Sequence, residues 1–290
     1  MSPQETFLIR LADLPAAVNE RIVAETRNYV VPLIINDIPH GSGTLVEIDG
    51  HYGLLTAEHV ARNPDRPDLR LDNLSHDGPK LLVPPAEFPG GEPIESFALR
   101  VITTKRNDDE YGPDLAFIAL PNSPLLRELR ARRSFYPLTK NVEAKVADAL
   151  QDTGFVPFCG FPASQLVEKQ PTHGYTKVNM LRGFAFMTGP DKYEERDSWD
   201  YFELGVDRAE MGDVGDSFGG VSGGGIWRIP VFRKKGAPAG NEYFEKMTLA
   251  GIAFYEENHF PNGRFFVRAH GPKSIYERFL PLVREQLRTI

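Results

Sequence analysis

Four things are scarce in this 290-residue chain: cysteine, an excess of positive charge, long apolar runs, and strands alternating with helices. The single cysteine, Cys159, cannot close an internal disulfide, so the fold must be held by its cores, and no oxidising compartment is implied. Lys and Arg number 33 against 40 Asp and Glu, a net charge of −7 that argues against the clustered basic surface needed by nucleic acid or an anionic membrane. No stretch approaches the roughly 18 consecutive apolar residues of a membrane span. The opening MSPQETFLIRLADLPAAVNER places acidic and polar residues where a secretory apolar region would lie. These absences point to a cytoplasmic protein with no membrane and no nucleic-acid partner. No internal repeat and no low-complexity tract is visible either.

Turn residues, by contrast, are plentiful. With 26 Gly and 24 Pro in a chain 41% hydrophobic and 25% charged, the composition is that of a globular protein rich in turns, as in all-β sandwiches and barrels. The length admits two domains or one large one. Leu14, Val18, Ile22 and Val23 recur at helical spacing, with Asp13 as N-cap and Pro15 in the first turn, predicting an N-terminal helix. From Tyr29 the chain turns to short apolar runs, YVVPLII, GTLVEI, YGLLTA, FALRVI and DLAFIAL, punctuated by Gly, Pro, Asn and Asp. The charged segment NSPLLRELRARRSFYPLTKN interrupts them, and a second series follows, from FVPFCGF to GRFFVRA. At the C-terminus Ser274 and Glu277 fit a capping box, and Ile275, Phe279, Val283 and Leu287 recur every four residues, predicting a helix that packs on a barrel and is kinked or shortened by Pro281. The expected layout is a helical extension (1–28), a β-rich half (29–125), a linker (126–148), a second β-rich half (149–271) and a terminal helix (272–290).

The densest glycine segment runs Gly215-Asp-Ser-Phe-Gly-Gly-Val-Ser-Gly-Gly-Gly225. It lacks the lysine of a phosphate-binding loop, and Gly41-Ser42-Gly43 lacks the third glycine of a dinucleotide fingerprint, with Val46 in its place. What remains is Ser222 between Gly220 and Gly224, a G-x-S-x-G pattern that lets the hydroxyl project while bare amides face a developing oxyanion. An α/β-hydrolase needs an acid and then a histidine downstream. No aspartate follows Ser222, and only Glu256 or Glu257 with His270 meets that order, without the βα alternation of that fold. The order His, Asp, Ser is met by LLTAEHV, read as an apolar strand ending at His59, and PDLAFIAL, read as an apolar strand starting at Asp114.

On these segments the chain resembles the trypsin-like (chymotrypsin-fold) serine peptidases, in particular their disulfide-free bacterial members. His40-Gly-Ser-Gly-Thr-Leu-Val46 is similar to the family's G-[ST]-G-[ST] strand, LLTAEHV to its L-T-A-A-H element, and PDLAFIAL to its D-[IL]-A segment. Cys159-Gly-Phe-Pro162 is similar to its G-[YF]-P strand, Gly220-Val-Ser-Gly-Gly-Gly225 to G-[DN]-S-G-G-P, and LAGIAFY to the substrate-lining strand. The resemblance implies an all-β fold of two antiparallel six-stranded barrels with N- and C-terminal helices. It implies a serine endopeptidase with His59 as general base, Asp114 as orienting acid and Ser222 as nucleophile, and with the Gly220 and Ser222 amides as oxyanion hole.

It further implies substrate contacts at Asp216, Ser217, Phe254 and Glu256. Asp216 falls at the base of the primary specificity pocket, which favours basic residues at P1. Phe218, Phe254 and Glu256 depart from the trypsin pattern, because Phe254 replaces a serine and Glu256 a small glycine. Val221 stands where zymogen-type members carry the aspartate that pairs with a new N-terminus, so that activation route is closed to this chain. The expected partner is a protein or peptide substrate, together with a regulatory protein at the N-terminal helix or the 63–80 and 189–200 loops. No cofactor is implied, and no metal, since His51, His76, His173 and His259 lack ligand spacing. The alternative is a latent or non-catalytic module that binds peptide in the same cleft.

Overall fold

The computed structural model describes residues 6–8, 13–73, 75, 77–83, 94–104, 111–150, 155–162, 167–172, 175–179, 186–187, 192–207, 219–244, 246–257 and 264–289. Strand β1 (Thr6–Leu8) and helix α1 (Ala16–Arg27) precede β2 (Val30–Ile35), β3 (Ile38–Ile48), β4 (His51–Thr56), the single turn α2 (Glu58–Ala61), β5 (Lys80–Leu82), β6 (Ile94–Glu95), β7 (Arg100–Thr103) and β8 (Ala116–Ala119). Helix α3 (Pro124–Arg132), β9 (Tyr136–Pro137) and α4 (Val142–Ala149) connect to the second half. There follow β10 (Pro157–Phe158), β11 (Val167–Thr172), β12 (Tyr175–Asn179), β13 (Phe186–Met187), β14 (Lys192–Arg196), β15 (Trp199–Asp207), β16 (Gly225–Arg228), β17 (Phe232–Lys234), β18 (Thr248–Glu257) and β19 (Arg264–His270). A π-helical stretch, Ser274–Phe279, leads into α5 (Leu280–Arg288).

The first sheet has the order β6-β5-β2-β3-β4-β8-β7, with β9 parallel to β3, and the second has the order β13-β10-β16-β18-β19-β15-β14. The pairs β1-β17 and β11-β12 stand apart. Take β5 and β6 as one position and the β14–β15 hairpin as another. Each sheet then has six positions, and numbered along the chain both follow one cyclic order, 1-2-3-6-5-4. The open orders themselves differ, 4-1-2-3-6-5 in the first sheet and 2-1-4-5-6-3 in the second, and coincide only when each row is joined end to end.

Neither sheet closes among the described residues. The first curls into a half-barrel open between β6 and β7, and the second is open between β13 and β14, so two closed six-stranded barrels are not what the pairing gives. At one side of each seam stands a strand of two residues, Ile94–Glu95 paired with β5 and Phe186–Met187 paired with β10. The architecture is β-rich, with a half-barrel sheet and a second sheet.

One core cluster joins the halves. Leu55 and Phe117 of the first sheet pack with Trp227 and Ile252 of the second and with Phe279 and Val283 of the C-terminal helix. That helix therefore seals the junction rather than resting on one barrel. Its capping also differs from expectation: Asp200 on β15 accepts the Lys273 N–H through Oδ2 at 3.1 Å and the Ser274 N–H through Oδ1, while Ser274 Oγ exchanges hydrogen bonds with the Asp200 backbone at 2.8 and 2.9 Å. Pro281 falls at the start of α5, and the wide turn before it accommodates a residue with no N–H to give. At the other end Pro15, not Asp13, takes the N-cap of α1, its carbonyl accepting from Val18 and Asn19, and the buried stripe is Val18, Ile22 and Thr26. The 126–148 segment is built largely of helices, with Ser123 capping α3 through the Leu126 N–H at 3.2 Å and Leu125, Leu126 and Leu129 buried. Among the described residues no helix is long and apolar enough to cross a membrane.

Candidate active site

Strand β4 buries Gly53 to Thr56 and ends there, so His59 sits in the helical turn α2 just beyond the strand rather than on it. Asp114 lies two residues before β8 and is fully buried. Pairing of β4 with β8 sets Thr56 opposite Ala116, which brings the two exits together. The Asp114 carboxylate takes two hydrogen bonds from one residue: Oδ1 accepts the His59 backbone N–H at 2.9 Å and Oδ2 lies 2.6 Å from His59 Nδ1. The imidazole is 28% exposed, which leaves its far edge to the solvent side while the acid stays dry. Thr104 Oγ donates to the Pro113 carbonyl at 2.8 Å and accepts the Leu115 N–H at 3.1 Å, clamping the backbone on both sides of Asp114.

Ser222 is carried by a turn that the second half lays onto the first. The Ser222 carbonyl accepts the Ser42 N–H at 2.8 Å, and Thr44 Oγ donates to the Gly223 carbonyl at 3.1 Å. On the other side the Gly223 N–H reaches the Ala253 carbonyl at 2.7 Å, and Ala253 N–H returns to Gly224 at 3.0 Å. The turn is therefore gripped between β3 and β18. Gly223, at φ +90°, leaves no room for a side chain, since a Cβ would stand 1.9 Å from the Ser42 carbonyl oxygen and 2.1 Å from Thr56 Oγ. Thr56 is three residues before His59, so this close approach docks the Ser222 turn on the strand that leads to His59.

Ser42 is the hub that the sequence did not single out. Fully buried, it donates through Oγ to the Gly220 carbonyl at 2.7 Å and accepts the Phe161 N–H at 2.8 Å. With the Gly220 carbonyl held there at φ +94°, the Gly220 and Ser222 amides donate to no acceptor among the described residues. Ser42→Ala strands the buried Phe161 N–H and the half-buried Gly220 carbonyl and is expected to cost about 2 kcal/mol in urea unfolding, because an orphaned buried group costs about 1–3 kcal/mol.

The remaining sequence-derived residues divide. Phe254 is 3% exposed, so what it presents to the turn is its carbonyl, which accepts from Ser222 Oγ at 3.4 Å. Glu256 is half-buried near the end of β18, opposite Val267. Asp216, Ser217 and Phe218 lie outside the described residues. Val221 is buried against Gly160, where a Cβ would come within 2.7 Å of it. Cys159 is buried, donates to Thr26 Oγ at 3.0 Å, and has its thiol pushed up to about 11 by burial, which leaves it unreactive. His40 is held below the ordinary imidazole range by burial first, then by neighbouring His59 and Arg66. Among the described residues no three His, Cys, Asp or Glu side chains gather as a metal site requires.

His270 was weighed only as a distant triad partner for another fold, and the structure brings it to this site. Its Nε2 accepts the Asp114 backbone N–H at 2.9 Å, and its ring stacks on Phe254 with centroids 4.5 Å apart. Complete burial holds its pKa down at about 3, partly opposed by the Asp114 charge. Unfolding frees the imidazole to take a proton near its ordinary 6.5. Stability from this group is complete above pH 6.5 and falls as the pH drops through that value toward 3, at about 1.4 kcal/mol per pH unit. Urea midpoints measured from about pH 7 to 4 are expected to show this slope for the wild type and to lose it in His270→Gln; parallel curves for the two proteins contradict it.

No protein-family model matches the chain, and no curated protein matches it.

Proposed function

We propose that the chain is a serine endopeptidase that cleaves peptide bonds through an acyl-enzyme on Ser222. The observation that carries the reading is the doubly held Asp114 carboxylate, 2.6 Å from His59 Nδ1, beside a nucleophile turn docked on the strand that leads to His59. In this scheme His59 takes the Ser222 proton and Oγ attacks the scissile carbonyl carbon. The oxyanion is received by the Gly220 and Ser222 amides, and the leaving amine departs with the proton from His59. Water then repeats the sequence and frees Ser222. The shared 1-2-3-6-5-4 order supports reading each sheet as one Greek-key barrel of a chymotrypsin-like pair, each with a single unpaired seam.

The expected substrate is a protein or peptide, with a preference for Arg or Lys at P1 that rests on Asp216 and Glu256. A fluorogenic panel that is cut after other residues and never after Arg or Lys removes that preference. A cytoplasmic location and a regulatory partner belong to the same proposal. One observation favours the latent alternative. Ser222 Oγ rests on the Phe254 carbonyl at 3.4 Å, and among the described residues it makes no hydrogen bond to His59, so the hydroxyl must rotate before it can be deprotonated.

A fluorophosphonate probe tests both readings. The wild type is expected to take the label at one site and Ser222→Ala to take none. Labelling only after a partner is added supports the latent form, and folded wild type that takes no label under any condition overturns the peptidase reading.

A further inference from the structure

Resting on the peptidase reading, we infer that His270 is a positioning residue: it fixes Asp114, and through it His59, relative to the Ser222 turn by accepting the Asp114 backbone N–H. The geometry joins the two halves through one side chain. His270 ends β19, opposite Ile252 on β18, and β18 holds the Ser222 turn through Ala253 one residue later. The His270 ring stacks on Phe254 at 27° to its plane, and the Phe254 carbonyl receives the Ser222 hydroxyl. From that strand pair Nε2 reaches across to the Asp114 N–H at 2.9 Å, while the Asp114 carboxylate points the other way, to His59. Nucleophile turn and acid are thus referenced to the same two strands.

The chemistry of the ring fits this role and little else. An imidazole nitrogen accepts a hydrogen bond only when it is unprotonated, so the proton of His270 sits on Nδ1, and Nδ1 finds no hydrogen-bond partner among the described residues. A fully buried ring with one nitrogen left unpaired is poor economy for packing alone, where phenylalanine fills the space without that penalty. The faces toward it are aromatic, Phe254, Tyr201 and Trp199, and the carboxylate whose charge acts on it, Asp114, is already engaged by His59. Burial keeps the ring neutral across the working pH range, so the contact with Asp114 does not titrate while His59 does its work.

Two variants separate the acceptor from the ring. His270→Phe keeps the aromatic packing and removes the acceptor, whereas His270→Gln loses the ring and puts a carbonyl oxygen near Nε2. The first readout is the far-downfield proton resonance of the short His59–Asp114 hydrogen bond, which needs no turnover. The second is the rate of fluorophosphonate labelling. His270→Phe is expected to lose or shift the resonance and to label about 10²-fold more slowly, as a misplacement of about 1 Å in a catalytic group costs. His270→Gln is expected to keep the resonance and to label within about threefold of wild type. If His270→Phe does not fold, His270→Leu serves as the acceptor-free variant. An unchanged resonance in the acceptor-free protein overturns the inference, as does equal loss in both variants, which assigns the ring to packing. A wild type that shows the resonance but takes no label fails the peptidase reading and leaves the resonance comparison to decide the role of His270.

Discussion

On the proposed peptidase reading, Asp114→Asn is expected to lower hydrolysis of a peptide substrate by about 10⁴-fold while the protein stays folded. The reason lies in how the carboxylate is used. One oxygen receives the His59 main-chain N–H at 2.9 Å and the other faces His59 Nδ1 at 2.6 Å. An asparagine keeps one acceptor, and the main-chain N–H claims it, because that donor has no alternative tautomer. The amide NH₂ then faces Nδ1 and donates to it, so the His59 proton moves to Nε2, the nitrogen that must accept from Ser222. The base is lost although every heavy atom remains in place. Steady-state kinetics on a cleaved peptide, with urea unfolding as the control for folding, checks this; a loss of less than about tenfold contradicts the assignment of Asp114.

Gly223→Ala is expected to destabilise the protein by about 4 kcal/mol or more, or to displace the turn altogether, and in either case to abolish labelling of Ser222. A methyl group at this position meets the Ser42 carbonyl oxygen at 1.9 Å and Thr56 Oγ at 2.1 Å, and both belong to strands locked in the first sheet. Conformational strain adds to the collision, because φ is +90°. Gly50 supplies the control. Its φ of +86° is nearly the same but nothing lies within 4 Å of a Cβ, so Gly50→Ala carries the strain alone, about 1 kcal/mol. Urea unfolding of the two variants isolates the cost of the collision. Equal losses in both contradict the close docking of the Ser222 turn on β3.

Much of the candidate site's layout was legible because its residues sit in short segments whose pattern is local. The apolar run into Thr56, the one opening at Ala116, and glycines packed around Ser222 are patterns that a sequence displays directly. The positions of His59 and Asp114 just beyond the strand ends were less legible, since strand boundaries follow from pairing and not from hydropathy alone. Ser42 was hidden inside a Gly-Ser-Gly-Thr strand motif, and its role depends on Gly220 and Phe161, each more than a hundred residues away. His270 was harder still. Nothing within GRFFVRAH distinguishes a buried histidine that supports an acid from one that only fills space, and its partner is 156 residues distant.

The scarcities that open the sequence constrain the protein without shaping it. One cysteine excludes an internal disulfide framework, and among the described residues no helix is long and apolar enough to cross a membrane. Short apolar runs of strand length with turn residues between them pointed to a chain that is mostly β. Only the tertiary structure decided the strand order of each sheet, that neither closes among the described residues, and that the C-terminal helix packs on a core common to both. Strand pairing and cross-sheet packing join residues far apart in the chain, and no local pattern records which distant partner a strand or a buried polar group will find.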